Sequence, residues 1–215
     1  NRFDVILTNP PFGARVEKSL KITEADKYTD TARIAKYRER YGDDYDKALK
    51  QVNDNIGKSL IDLFDVGKMS GLTEVLFIER CLNLLKPGGR MGIVLPEGVL
   101  NNTNLQKVRD FVESKAKILL ITSIPQDVFI ASGATVKPSL LFFKKFTNEE
   151  TETWNTIAQQ AEKNIRGKYA NQFSEIIEKL SDKTITASDK KLLKNELKQL
   201  EEKITAEIKA QIKKG

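Results

Sequence analysis

Phe3 to Leu7 is a run of large, β-branched or aromatic residues, the composition of a short strand buried on both faces. Asn9-Pro10-Pro11-Phe12 ends it, because successive prolines remove two backbone donors and hold φ near −65°. Residues 14–70 are polar and short of strand signals, and read as a helical insertion. Within it Thr31 to Tyr41 and Asp43 to Asn53 predict short helices, and Ser59 to Met69 a more apolar one. Ser70 and the glycines at 67 and 71 would make a hinge or a helix start. Thr73 to Leu85 carries Val75, Leu76, Ile78, Leu82 and Leu85 at helical spacing, with Ser70 or Thr73 as its cap. Lys86-Pro87-Gly88-Gly89 stops that helix, and Arg90 to Leu95 is the next strand.

Asn104 to Lys115 predicts a further helix with Val108, Phe111 and Val112 inward. Ile118 to Ile124 and Val136 to Lys145 predict two more strands. The connection from Pro125 to Thr135 is too short for a helical crossover, so these two should pair antiparallel. From residue 148 the strand signals cease. Leu193, Leu197, Leu200, Ile204, Ile208 and Ile212 form one stripe at three- and four-residue spacing. Trp154 to Leu180 predicts another helix or helix pair, with Trp154 as an anchor. The expected organisation is therefore α/β, with residues 1–147 a partial catalytic domain and residues 148–215 a helical tail for partner docking or a coiled coil.

The loop after the first strand lies at the carboxyl edge of the sheet, where open α/β folds place ligands. It is a stiff segment offering an amide, outward carbonyls and an aromatic ring. Methylation of an exocyclic amino group needs such parts. The nitrogen lone pair is delocalised into the ring, and two acceptors gripping the two hydrogens would favour a pyramidal, nucleophilic nitrogen. The side-chain oxygen of Asn9 and the carbonyl of Pro10 would be those acceptors, held in place by Pro11. Phe12 would stack on an extruded base, offsetting part of the few kcal/mol that extrusion costs. The same four residues also read as a plain Asn-Pro turn followed by a core Phe.

The strand followed by Asn9-Pro10-Pro11-Phe12 resembles the catalytic motif of γ-type adenine-N6 DNA methyltransferases. The wider run, with Phe77-Ile78-Glu79-Arg80, Leu85-Lys86-Pro87-Gly88-Gly89-Arg90 and Ile93-Val94-Leu95-Pro96, is similar to the modification subunit of type I restriction–modification systems. The resemblance spans about residues 1–146, loosely over 14–70. It implies a Rossmann-like sheet, here its C-terminal half with the fourth to seventh strands and an antiparallel last hairpin. It also implies Asn9, Pro10, Pro11 and Phe12 as catalytic residues. The region around Phe129 and the Ser132-Gly133-Ala134-Thr135 loop would face the flipped base. Phe129 would add a second aromatic contact or fill the sheet edge, and Lys137 would reach a phosphate or point into water. Partners implied are DNA, a helical specificity subunit docking on the tail, and restriction subunits. The insertion would be a lid or touch DNA through Lys18, Lys21, Arg33, Lys36, Arg38 and Arg40, or form a solvated helical surface.

The implied cofactor is S-adenosylmethionine, gripped in this fold by a glycine-rich loop after the first strand and an acidic residue after the second. Neither motif is in this chain, since Gly88-Gly89 follows a helix. The expected picture is a fragment, inactive alone, that dimerises through the free edge of the first strand or covers it with helices of the insertion or tail. An opening on Asn1-Arg2-Phe3 without methionine fits a fragment. Related enzymes that methylate a protein glutamine or an RNA base more often carry Tyr where Phe12 stands, which favours DNA modestly. A non-catalytic scaffold on the same fold is the other alternative.

Composition narrows this further. At 215 residues, 40% apolar and 31% charged, the chain can bury a real core. Thirty-six basic against thirty acidic residues give +6, mildly basic and compatible with nucleic acid. With no histidine and Cys81 alone, His triads, a disulfide framework and zinc ligation are excluded. The lack of a long apolar run or signal peptide points to the cytoplasm, without a membrane partner.

Overall fold

A computed structural model describes residues 3–27, 29–132, 136–182 and 184–214, without the side chains of 130–132. The chain divides into two units, Asn1–Phe146 and Thr147–Gly215. The first holds β1 (Phe3–Thr8), α1 (Thr31–Tyr41), α2 (Asp43–Asn53), α3 (Thr73–Leu84), β2 (Leu85–Pro96), α4 (Glu97–Asn101), α5 (Gln106–Glu113), β3 (Ala116–Ser123) and β4 (Pro138–Lys145). The second holds α6 (Asn148–Ser181) and α7 (Ala187–Ile212).

The four strands form one mixed sheet in the order β1-β2-β4-β3. β1 and β2 run parallel, while β4 is antiparallel to both of its neighbours and lies between β2 and β3. This is a partial Rossmann-like sheet with an antiparallel strand inserted between two parallel ones. Met91, Ile93 and Leu95 of β2 and Leu141 and Phe143 of β4 point to one face, where Val75, Ile78 and Leu82 of α3, Val99 of α4 and Val108 and Val112 of α5 complete the core. Phe143 is fully buried, and its truncation to Ala would cost about 3–5 kcal/mol through lost transfer energy and the remaining void.

All those helices pack on the same face, and this corrects the expectation of a first strand buried on both sides. Ile6 points into the core, whereas Phe3, Val5 and Leu7 on the opposite face are 49%, 59% and 75% exposed. Leu120 of β3 lies open on the same outward face. Five apolar residues fix a strand but do not say whether one or both of its faces are covered. β1 is also an edge strand.

The Pro-Gly-Gly turn sits inside the β1–β2 ladder rather than ahead of it. Phe3 pairs with Leu85 and Val5 with Arg90, so Lys86 to Gly89 is looped out. Gly88 takes φ +77°, open to glycine at little cost. At Gly89 a Cβ would approach the carbonyl oxygens of Lys86 and Asp4 to 2.9 and 3.1 Å. Lys145 closes the end of α3, its Nζ donating to the carbonyls of Leu82 and Leu85 at 2.7 and 3.0 Å. Burial, and then the charge of Lys115, push its pKa down.

In the insertion α1 and α2 have the expected bounds, with Asp30 capping α1 by accepting from the amides of Ala32 and Arg33. The third expected helix is replaced by two 3-10 turns, Leu60–Leu63 and Val66–Lys68. Glu79 of α3 takes the amides of Asp65 and Val66 at 3.1 and 2.9 Å, donors that a continuous helix would have spent internally. Ser70 does not cap α3, and its hydroxyl instead accepts from the amide of Leu72 at 3.2 Å. Leu72 is the N-cap residue without a side-chain bond, and Thr73 Oγ1 donates to the carbonyl of Ala14.

In the second unit α6 opens on a capping box between Thr147 and Glu150, and Thr186 caps α7. The stripe of α7 is spent on α6: Leu200 and Ile204 are buried with Tyr169 and Ile176, flanked by Leu193, Leu197 and Ile208. Tyr169 Oη donates to Glu207 at 2.5 Å, and Lys168 donates to the same carboxylate at 2.8 Å. Among the described residues, no helix is long and apolar enough to cross a membrane.

Candidate functional site

β1 and β2 run parallel and β4 returns between β2 and β3, so one edge of the sheet gathers the ends of β1, β2 and β3 and the start of β4. Asn9 to Gly13 leaves from β1, Glu97 follows β2, the 3-10 turn Gln126–Ser132 follows β3, and Lys137 precedes β4. The topology thus collects most of the sequence-predicted residues on one edge.

Pro10 is buried and anchors the loop, while Asn9 and Pro11 are exposed and Phe12 is half-buried. Among the described residues, no hydrogen bond is made by the Asn9 side chain or the Pro10 carbonyl. Two oxygen acceptors on adjacent residues are therefore not spent on a described partner, one of them on a rigid proline backbone. Phe12 meets Phe129 edge to face, with ring centroids 6.4 Å apart and planes at 72°. The half-buried Phe129 thus touches the loop from a turn about 120 residues along the chain.

Lys137 is tied down. Its Nζ lies 3.5 Å from Glu97 Oε1, and its own carbonyl accepts from the Glu97 amide at 2.9 Å. Both side chains are more than a third exposed, so the pair is screened and weak. Of the Ser132-Gly133-Ala134-Thr135 loop, residues 133–135 lie outside the described part of the chain.

The stretch after the loop is fastened to α3. Val16 donates to the carbonyl of Gly71, and Thr73 donates twice, through its amide and hydroxyl, to the carbonyl of Ala14. Gly13, at φ +72°, gives its N–H to the carboxylate of Glu74 at 3.2 Å. A groove of about 580 Å³ opens beside these residues, lined by Arg15, Lys18, Ile61, Lys68 and Gly71 among others. The basic side chains proposed for DNA contact on α1 are exposed and partly engaged: Arg33 with Asp30 at 3.5 Å, Arg38 with Asp46 at 3.0 Å, and Arg40 over the Tyr41 ring.

Glu74, which accepts from Gly13, was not legible as a site residue. Its signal is a buried carboxylate at the start of a helix whose Val75, Leu76, Ile78 and Leu82 are also buried. Among the described residues, no cluster of His, Cys, Asp and Glu could hold a metal ion. A glycine-rich strand-to-helix turn for S-adenosylmethionine is likewise missing from them. The positive-φ glycines at 13, 42, 57 and 88 fall after a Pro-Pro loop, between two helices, in a turn and inside a ladder. The described residues do not fit that cofactor's phosphate-free but glycine-lined cradle.

A family model described as N-6 DNA methylase matches residues 40–211, from the end of α1 through the sheet to the last turns of α7. The chain belongs to the N-6 DNA methylase family. The Asn9–Gly13 loop lies ahead of the matched residues and outside the match. The "Defense against restriction protein B" of Escherichia phage P1 is 26% identical over 98 residues, which are 46% of this chain and 4% of the phage protein. A modification subunit assigned to a type I restriction enzyme of Vibrio vulnificus YJ016 is 24% identical, with a TM-score of 0.41 over 67% of this chain and 23% of that one. A protein of Listeria monocytogenes assigned as a class I S-adenosylmethionine-dependent methyltransferase is 19% identical, with a TM-score of 0.42 over 69% of this chain and 33% of that one. The methylase chain thus spans a third or less of the length of each of these relatives.

Proposed function

We propose that this chain supplies the substrate-holding half of an adenine-N6 DNA methyltransferase working in a restriction–modification complex. The observation that carries the reading is the acceptor pair at the sheet edge. The Asn9 side-chain oxygen and the Pro10 carbonyl make no hydrogen bond to any described residue, and Phe12 is braced beside them by Phe129. An adenine rotated out of the duplex stacks its face on Phe12. Its amino group gives one hydrogen to Asn9 and the other to Pro10. Both bonds strengthen as the nitrogen pyramidalises, so they favour the transition state over the resting base. The stacking contributes about 1–3 kcal/mol towards the few that extrusion costs.

S-adenosylmethionine is the methyl donor this family reading calls for, and the described residues do not form its cradle. Lys137, released from Glu97, holds a phosphate next to the extruded nucleotide. The partners are DNA and the specificity and restriction subunits of such a complex.

The test is Asn9→Ala in the full-length methylase. Methyl transfer to DNA should fall by two orders of magnitude or more, as when a preorganised donor or acceptor is removed elsewhere, with DNA affinity kept. Unchanged transfer would remove Asn9 from the chemistry and the reading with it.

A further inference from the structure

We propose that Glu74 is a positioning residue for methyl transfer, its buried carboxylate holding Gly13 and thereby aiming the Asn9–Phe12 loop; this rests on the function proposed above. Glu74 is 3% exposed, in the first turn of α3. Among the described residues its carboxylate takes only the N–H of Gly13, at 3.2 and 3.4 Å from its two oxygens. Gly13 is the residue immediately after Phe12 and 61 positions away in sequence.

A buried carboxylate with one amide partner is poorly compensated. Burial in apolar surroundings strips its water, and one neutral hydrogen bond restores only part of it. The positive end of α3 helps, yet a leucine at this 3% exposed position would avoid that loss. As a stability device Glu74 is therefore a poor choice. As a fixed anchor it is a good one, because it grips the loop directly behind the acceptor pair from a helix packed in the core.

Glu79 provides an internal comparison. It lies on the same helix, is 5% exposed, and uses both oxygens on the amides of Asp65 and Val66. Its grip is on a 3-10 turn of the insertion, away from Asn9. Two carboxylates of similar burial thus hold two different loops, and only one loop carries the acceptors.

Glu74→Leu, Glu74→Gln, Glu79→Gln and Asn9→Ala in the full-length methylase test this. Single-turnover methylation, KM for DNA, fluorescence of 2-aminopurine at the target position, and thermal unfolding are measured on each. Glu74→Leu should unfold at the same or a higher temperature, yet lose about tenfold or more in kcat with KM for DNA within twofold. Glu74→Gln, whose side-chain oxygen still accepts from Gly13, should recover most of the rate. Glu79→Gln should lower the unfolding temperature and leave kcat unchanged. Glu74→Leu with wild-type kcat, alongside an inactive Asn9→Ala, would overturn the positioning role alone. An active Asn9→Ala would overturn it together with the function on which it rests.

Discussion

The rings of Phe12 and Phe129 meet in a T-shaped contact with centroids 6.4 Å apart, joining a turn that follows β3 to the loop that follows β1. The two rings belong to segments with no shared secondary structure, so the contact is a direct measure of whether the sheet edge is assembled. A double-mutant cycle with Phe12→Ala and Phe129→Ala, read by denaturant unfolding, should give a coupling of about 0.5–1.5 kcal/mol. Additive single effects would show that the contact contributes nothing.

Two glycines separate a tolerated methyl group from a forbidden one. At Gly67 a Cβ would sit 2.1 Å from the backbone oxygen of Ile61, which cannot move without the 3-10 turn carrying it. At Gly92 a Cβ would meet Leu7 Cδ2 and Phe142 Cε1, both at 2.8 Å, and these are side-chain ends. Leu7 is 75% exposed and free to swing out. Gly67→Ala should therefore cost about 3 kcal/mol or more and Gly92→Ala about 1 kcal/mol, measured by chemical denaturation. Equal costs would contradict the geometry.

The pH response of the α6–α7 hairpin follows from Glu207. The hydrogen bond from Lys168, and then that from Tyr169, hold its carboxyl below the ordinary 4.5, while Lys168 is raised above 10.5 chiefly by the same bond. A depressed carboxyl stabilises the folded form above its unfolded pKa, and that contribution is lost as pH falls through the folded value. The raised lysine contributes fully below 10.5 and loses its contribution as pH climbs through its folded value. Amide protection around Tyr169, relative to the intrinsic exchange rate, should therefore fall on acidification below pH 4.5 in the wild type, and Glu207→Gln should flatten that response. Both groups are solvent-exposed, so high salt should reduce the effect.

Cys81 is 6% exposed on the core side of α3. Burial pushes its thiol pKa up, against a smaller downward pull from Arg80. A thiol that is both neutral and covered reacts only when the helix opens. Labelling by a disulfide reagent, followed by mass spectrometry of the Cys81 peptide, should be slow in buffer and immediate in guanidinium. Fast labelling in buffer would mean that α3 is loosely seated.

Elements set by local signals were legible in the sequence. Asp30 and Gly42 delimit α1, Gly42 and Asp54 delimit α2, and the leucine–isoleucine period defines α7. So was the antiparallel return of β4, which followed from a connection too short to cross over. Illegible features depend on residues far apart in sequence. The 3-10 turns of 60–68 exist because Glu79 arrives from α3 to take two amides. Lys137 is paired because Glu97 sits at the end of the neighbouring strand. The period of Phe3–Leu7 could place a strand but could not show that one face would stay bare. For the site, Asn9 and Phe12 were named by local chemistry, whereas the anchoring of their loop by Glu74 required the tertiary fold.

The pairing of β1 with β2 also sets a timetable. Asp4 and Lys86, which clasp each other across that ladder, are 82 positions apart, whereas α6 and α7 are consecutive in the chain. Closing so long a segment is entropically slow, and local helix pairing is fast. During synthesis the strand leading to Asn9 emerges first and waits for α3 and β2 before it can be zipped in. Its Phe3, Val5 and Leu7, bare even in the folded unit, stay open to other chains through that wait.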